Sequence, residues 1–361
     1  MYDYLIVGAG LFGATCAQQL CEQGKRVLVI DKRPHIAGNC YTDNVDGIIV
    51  HRYGPHVFHT NSDRVWEYVN QFTTMRQFTL QVLARGADGD MWGLPFDMGT
   101  FHKAYATTTP QEVRELVESF DHHPTSRNAK SFALRSVGYV IYEQIIRGYT
   151  TKQWGRDPEE LPAFIVGRLP IRLAYDKNYF NDIYQGIPDK GYTAMVDKML
   201  HGADVRVNTP YDPASLPEHK SLIYTGAIDR YFDYQFGPLD YRSLRFETEM
   251  LPIDNYQGAP IINECAIDVP YTRTVEHKHF MPWRSAEHTV ITREYPQDYV
   301  ADENEPFYPI NDDKNKALYR KYLSLAMAEG NVHFGGRLGQ YQYYNMDQVI
   351  GSALSLCQKL Q

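Results

Sequence analysis

Cysteine is scarce: five in 361 residues, at Cys16, Cys21, Cys40, Cys265 and Cys357. The number is odd and no two stand as C-x-x-C, so neither a disulfide framework nor a zinc site is expected, and the thiols read as reduced. No apolar run reaches the roughly 18 residues that a membrane-spanning helix needs. The opening Met1-Tyr2-Asp3-Tyr4-Leu5 has no basic n-region, so no secretory leader is expected and the reading is cytoplasmic. A basic excess is missing too. Lys and Arg number 36 against 44 Asp and Glu, a net charge of −8, the wrong sign for a nucleic-acid binder, though a local basic pocket for a phosphorylated small molecule remains compatible. No repeat of fixed period and no low-complexity tract is present.

What is abundant is tyrosine: 28, against 16 Phe and 4 Trp. Tyrosine pairs an apolar ring with a polar tip, which suits pockets for polar ligands and also half-buried sheet positions. The hydrophobic share of 43% and charged share of 22% are those of a globular protein, and at roughly 150 residues per domain the length suggests two or three domains.

Tyr4 to Val7 is a short apolar run ending at Gly8, the pattern of a buried parallel strand. Leu11 to Gln23 has helical spacing, and Arg26 to Ile30 is a second buried strand, giving a β-α-β unit. Asp43 to Val50 predicts a hairpin around Asp46-Gly47, and Ser62 to Phe72 a helix capped by Ser62 or Asn61. Residues 78–96 look strand-like with a turn at Gly86 to Asp90. From 97 to 170 helical patterns dominate, with a start at Thr109-Pro110-Gln111-Glu112 and a helix over Ser136 to Arg147. β-type composition returns over 240–310. A strand at Val332 to Phe334, Gly335-Gly336-Arg337 and a helix over Met346 to Lys359 close the chain. The expected fold is α/β: a discontinuous Rossmann-like FAD-binding domain (1–77, 186–240, 325–361), an inserted helical domain (97–170) and a mainly antiparallel β-sheet domain (78–96, 171–185, 241–324).

The dinucleotide expectation rests on Gly8-Ala9-Gly10-Leu11-Phe12-Gly13, a G-x-G-x-x-G between strand and helix. The first glycine allows the tight turn, the second lets backbone approach a pyrophosphate, and the third lets helix and sheet pack closely. The helix N-terminus offers N–H groups and a positive dipole end. Asp31 ends the second strand, where a carboxylate can bind a ribose hydroxyl. FAD is favoured over NAD on two further features. Asp31-Lys32-Arg33-Pro34-His35-Ile36-Ala37-Gly38-Asn39 partly matches the flavoprotein extension, with Ala37 where a glycine is usual. Gly335-Gly336-Arg337 returns late in the chain before the last helix. The expected cofactor contacts are Gly8, Gly10, Phe12, Gly13, Asp31, Lys32, Gly38, Asn39, His56, Gly336, Arg337, Asn345 and Met346.

From Tyr53-Gly54-Pro55-His56-Val57-Phe58-His59-Thr60 onward the sequence resembles the bacterial UDP-galactopyranose mutase family, from Tyr2 to about Leu356. Further matches are Gly148-Tyr149-Thr150-Thr151-Lys152-Gln153-Trp154-Gly155, Arg168-Leu169-Pro170-Ile171-Arg172, Asn178-Tyr179-Phe180, Pro270-Tyr271-Thr272-Arg273, Tyr308-Pro309 and Phe334-Gly335-Gly336-Arg337. The resemblance implies an isomerase that interconverts nucleotide-linked pyranose and furanose sugars, such as UDP-galactopyranose and UDP-galactofuranose, with no net redox change. In that scheme reduced FAD is the nucleophile, through a flavin N5–sugar adduct, and the protein supplies position and charge. An external reductant such as NAD(P)H and a homodimer are implied as well. Arg168 and Arg273 would hold the diphosphate, Arg168 moving with a lid near 168–180, and His56 would orient the flavin through its loop backbone. Tyr149 would pack on the base, Tyr179, Tyr308 and Tyr343 would bind phosphate, Trp154 would lie at the sugar–nucleotide end, and Asn263 would face phosphate or sugar.

Three positions depart from the family pattern. Leu80 stands where Asn is usual near the sugar, Lys103 where Gln is usual near the base, and Asn345 where Asp is usual near flavin and substrate. A hydroxyl and its absence are strongly discriminated by a hydrogen-bonding site, so the sugar is left open between galactose and a 6-deoxy sugar such as dTDP-fucopyranose. An amine-oxidase-type flavin oxidoreductase shares the expected fold, as does a non-catalytic binding module like the prenylated-GTPase escort proteins. The paired arginines argue against the first and the retained glycine motif against the second.

Overall fold

The computed structural model describes residues 1–120, 128–167 and 170–360. Contacts group the chain into two units: Met1–Phe78 with Asp182–Tyr241 and Pro306–Gln361, and Thr79–Asn181 with Arg242–Glu305.

In the first unit, Tyr2–Val7 pairs in parallel with Val27–Ile30 on one side and His219–Tyr224 on the other. Asp204–Arg206 and Val332–Phe334 add the parallel edges. The apolar runs read as strands because both faces are covered. Leu5 and Ile6 are both fully buried and belong to opposite cores, as the alternation of strand side chains requires. Ile6, Val27 and Val29 pack against Ala14, Ala17 and Leu20 of the helix Leu11–Glu22, and against Ile350, Ala353 and Leu354 of the helix Met346–Lys359. Burying Leu20 alone contributes about 2 kcal/mol. The predicted hairpin forms, Thr42–Val45 against Ile48–His51, with positive φ at Asp46 and Gly47. Ser62 caps Asp63–Asn70, its Oγ accepting the Val65 N–H at 3.3 Å.

Residues 306–324, grouped with the β-sheet domain in the sequence reading, pack within the first unit. The helix Asp313–Ala326 brings Tyr322 onto the Phe232 ring, and its hydroxyl donates to the Gly237 carbonyl at 2.7 Å.

The second unit holds both the helical stretch and the sheet. Its strands run in the order Tyr241–Leu251, Thr289–Asp298, Arg273–Glu276, Ile261–Glu264, Val82–Arg85, Met91–Leu94. All neighbours are antiparallel except Ile261–Glu264 with Val82–Arg85. Pro110–Ser119 starts with a capping box, Thr109 with Glu112. The helix expected over Ser136 to Arg147 is instead broken. Ala129–Ile141 is kinked at Gly138 (φ 74°, ψ 177°), and Tyr142–Arg147 forms a wider π turn leading into Gly148–Trp154. The Tyr105 hydroxyl fills the break, donating to the Val137 carbonyl at 2.8 Å and accepting from the Val140 N–H at 3.2 Å. A Cβ on Gly138 would lie 2.3 Å from that hydroxyl and 2.4 Å from the Phe120 ring. Gly138→Ala is therefore expected to destabilise by about 3 kcal/mol or more in chemical denaturation; an unchanged midpoint would refute the steric account.

Candidate active site

The glycine motif of the first unit forms a cradle of bare backbone. Gly8 (φ 105°) turns the chain, and a Cβ there would fall 2.0 Å from Thr225 Oγ1. Thr225 is fixed in turn, its hydroxyl donating to the Val7 carbonyl at 2.7 Å. A Cβ on Gly13 would lie 1.9 Å from the Gly8 carbonyl oxygen. Gly10 faces Gly38, whose own Cβ would come within 3.0 Å of the Gly10 Cα. The helix Leu11–Glu22 has no side-chain cap and no acid in its first turn, so its N–H groups are left for an anion. Asp31 braces the loop: Oδ2 accepts the Ala9 N–H at 2.8 Å and Oδ1 the Arg33 N–H at 2.9 Å. Each oxygen keeps a second lone pair for a ribose hydroxyl. Ala37 adopts φ 72°, the left-handed conformation the usual glycine would take, and its N–H donates to the Ala9 carbonyl at 2.9 Å. Asn39 accepts from the Arg33 guanidinium at 3.0 Å, while Lys32 is exposed. These residues fit a dinucleotide.

The late glycines return to the same place. A Cβ on Gly335 would meet the Phe12 ring at 2.1 Å, and one on Gly336 the Phe12 Cβ at 3.5 Å. Arg337 is held by two carbonyls, Phe307 at 3.2 Å and Tyr344 at 2.7 Å. Tyr308 and Tyr343 stack at 5.3 Å, and the Arg337 guanidinium lies 5.9 and 5.5 Å from their ring centres. Three expected ligands thus form one cation–aromatic cluster. Asn345 is the N-cap of Met346–Lys359, its N–H donating to Gln348 Oε1 at 2.9 Å. His56 Nδ1 donates to the Gly54 carbonyl at 2.8 Å, and its own carbonyl accepts from the Tyr192 hydroxyl at 3.2 Å. The backbone of the His56 loop is therefore fixed by a fully buried tyrosine. His59 Nδ1 meets Asp182 Oδ2 at 2.5 Å.

In the second unit the focus is Arg273. Its Nη2 donates to the Tyr149 hydroxyl at 3.0 Å, and its Nε lies 3.1 Å from Glu294 Oε2. Glu294 is 1% exposed. Burial pushes its carboxyl up, and the guanidinium opposes that shift. Strand register puts Glu294, Arg273, Asn263, Ala84 and Trp92 in one row across five strands. Asn263 Oδ1 is buried with no hydrogen-bond partner among the described residues, an acceptor suited to a ligand hydroxyl. Lys103 stands 4.5 Å over the Trp92 ring and pairs with Asp90 at 3.0 Å. Leu80 is 5% exposed, and its carbonyl accepts the Tyr179 N–H at 3.0 Å. Trp154 is buried at the end of Gly148–Trp154, the helix that carries Tyr149. Arg168 lies outside the described residues. Metal clusters are absent among the described residues, and no helix there is long and apolar enough to cross a membrane. All five cysteines are free, with burial pushing Cys40 and Cys265 up to about 12.

Sequence reasoning missed Glu294, Thr225, Tyr192 and Lys152. Lys152 lies inside a motif quoted for the resemblance, yet nothing in its type or spacing marked it. Glu294 carried no such signal either, standing in Thr289–Asp298 beside Thr292, Arg293 and Gln297.

The family model of UDP-galactopyranose mutase matches residues 144–343, and one of an NAD(P)-binding Rossmann-like domain matches residues 6–72. A probable UDP-galactopyranose mutase of Klebsiella pneumoniae is 43% identical over 98% of this chain and 93% of its own length. A dTDP-fucopyranose mutase of Escherichia coli is 38% identical over 99% of this chain and 98% of its own length. The crystal structure of a reduced UDP-galactopyranose mutase superposes with TM-score 0.77 at 13% identity, covering 100% of this chain and 94% of that one; at that identity it speaks to fold. With a family model spanning more than half the sequence and full-length relatives above 30% identity, the chain belongs to the UDP-galactopyranose mutase family.

Proposed function

We propose that the protein interconverts the pyranose and furanose forms of a nucleotide-linked sugar, UDP-galactose in the first instance, on reduced FAD. The observation that carries the reading is Arg273, anchored by buried Glu294 and by Tyr149. A departing nucleoside diphosphate concentrates negative charge, and a preorganised guanidinium stabilises that charge with two parallel N–H donors. An oxidase acting on an amine has no use for such a group.

Reduced FAD, when bound, supplies a nucleophile for the anomeric carbon without net oxidation of the substrate. The N–H groups following Gly10 would hold its pyrophosphate, Asp31 its ribose, and the fixed His56 carbonyl would orient the ring system. Arg273, with Arg168, would keep the released diphosphate in place while the sugar ring reopens and closes through another hydroxyl. Asn263 Oδ1, which has no partner among the described residues, would accept from a sugar hydroxyl. Tyr308 and Tyr343 bring hydroxyls beside the Arg337 charge, a second anion-compatible cluster.

Leu80 favours a second reading, the same chemistry on a 6-deoxy sugar such as dTDP-fucose, because an apolar side chain tolerates a methyl where a hydroxyl would need a partner. The relationship to the dTDP-fucopyranose mutase supports it equally. The test is direct. Protein carrying FAD is reduced with dithionite, and UDP-galactofuranose and dTDP-fucofuranose are offered side by side, with isomers separated by chromatography. Conversion of the first pair is expected. Preference for the second would keep the chemistry and rename the substrate, while oxygen consumption without isomerisation would overturn the mutase reading.

A further inference from the structure

Lys152 is a cation with no role in the chemistry above, yet its surroundings are built. It lies three residues after Tyr149 on Gly148–Trp154, so both side chains leave one helix face. Its Nζ donates to three backbone carbonyls, Glu264 at 2.8 Å, Val269 at 2.9 Å and Tyr271 at 2.9 Å. Those are all the donors an ammonium has. The three carbonyls belong to the end of strand Ile261–Glu264 and to the connection, residues 265–272, that leads into the Arg273 strand. A connection of that length is not fixed by turn geometry, as a two-residue hairpin loop is. Backbone bonds hold its two ends, Glu264 N–H to the Thr272 carbonyl at 2.8 Å and Cys265 N–H to the Arg85 carbonyl at 2.9 Å, and Lys152 adds a side-chain tie that draws Glu264, Val269 and Tyr271 to one point.

Two more contacts fix the helix to the same sheet. Gly148 touches the connection directly: a Cβ there would fall 2.0 Å from the Cys265 carbonyl oxygen. Arg242 closes the other end, its Nε donating to the Gln153 carbonyl at 3.0 Å and its Nη2 reaching the Lys152 carbonyl at 3.4 Å. Arg242 also pairs with Asp298. The helix that presents the Tyr149 hydroxyl and the connection that delivers Arg273 are therefore tied together by the Lys152 ammonium.

An apolar side chain here would leave three carbonyls without this donor, so the ammonium dictates where those carbonyls can lie. Burial pulls the Lys152 ammonium down, to about 8, while the charges of Cys265, Glu264 and Asp268 act in the opposite direction.

We propose that Lys152 is a positioning residue for diphosphate binding: by holding 265–272 against Gly148–Trp154 it fixes the Arg273 guanidinium at the Tyr149 hydroxyl. The proposal rests on the reading of Arg273 as the diphosphate cation. It is tested by a double-mutant cycle on the FAD-loaded full chain, with Lys152→Met, Arg273→Ala and the pair. Kd for UDP is measured by calorimetry, with FAD content and Tm recorded for each variant. Arg273→Ala is expected to weaken UDP at least 10-fold. Lys152→Met is expected to weaken it about 10-fold with FAD content unchanged, and less than twofold once Arg273 is already alanine. Lys152→Gln, which keeps an amide donor, should fall between, and it carries the same cycle if Lys152→Met does not fold. Equal losses in both backgrounds, or no loss in either, would overturn the role of Lys152 while leaving Arg273 standing. An Arg273→Ala protein that binds UDP normally would overturn the reading of Arg273 and this proposal with it.

Discussion

Arg273→Ala is expected to lower kcat by about 10²- to 10³-fold, the range seen when one preorganised charge-stabilising donor is removed, and to destabilise the fold as well. The second effect follows from Glu294. That carboxylate is 1% exposed, its Oε1 has no hydrogen-bond partner among the described residues, and the Arg273 guanidinium lies beside its Oε2. Taking away one member of a buried pair costs about 3–5 kcal/mol because the other charge is left uncompensated. The two losses separate in a double variant. Arg273→Ala with Glu294→Gln should recover most of the stability, since the amide carries no charge to bury, and none of the activity. The pH dependence fixes the sign. In Arg273→Ala, burial holds the Glu294 carboxyl above its unfolded value of about 4.3, so the folded state binds the extra proton. Stability should then rise as pH falls from 7 towards 5, and be lost as pH rises through the folded value. The Glu294→Gln double variant should be flat over that window. Calorimetric Tm values at several pH values check this; a single variant whose Tm does not respond to pH would show that Glu294 is not the group left behind.

The parts of this molecule legible in the sequence are those whose chemistry is local. The hairpin at Asp46-Gly47, the Ser62 cap, the Thr109–Glu112 capping box and the first β-α-β unit each follow from residues within a few positions of one another. The break at Gly138 was not legible, because a glycine inside a helical pattern is compatible with either outcome. What decides is Tyr105, more than thirty residues earlier, whose hydroxyl takes over the two backbone groups the break exposes. The assignment of 306–324 failed for a related reason. Its composition fits either unit, and the choice is made by Tyr322 meeting Phe232 and Gly237. The site shows the same division. Glycines that must be glycine announce themselves, whereas Glu294 and Lys152 acquire their meaning from strand register and from carbonyls far away in sequence. Arg273 was found by resemblance alone; the row that joins it to Asn263 and Glu294 exists only once the strands are aligned.

The glycine loop makes the sharper claim about the cofactor, because two of its glycines should fail in different ways. Gly13→Ala would drive a Cβ to 1.9 Å from the Gly8 carbonyl oxygen and 3.1 Å from Ile6 Cγ2. The first obstacle is backbone and cannot rotate away, so the variant should lose about 3 kcal/mol or more of stability and with it the flavin. Gly10→Ala is different. Gly10 has φ −76° and ψ −176°, which any residue adopts, and the nearest atom to a new Cβ is the Gly38 Cα at 3.8 Å. Among the described residues nothing opposes that methyl, so the apoprotein should unfold within about 0.5 kcal/mol of the parent. What the methyl does occupy is the gap between two glycine backbones, the space a pyrophosphate needs to reach the uncapped N–H groups of Leu11–Glu22. FAD affinity should therefore fall on the order of 100-fold, about 2.8 kcal/mol, read from flavin absorbance on titration of apoprotein. A glycine whose replacement costs binding and not folding can only be kept for the ligand. If Gly10→Ala instead binds FAD normally, the open space at Gly10 has no pyrophosphate to explain it, and the dinucleotide would have to be placed elsewhere in the unit.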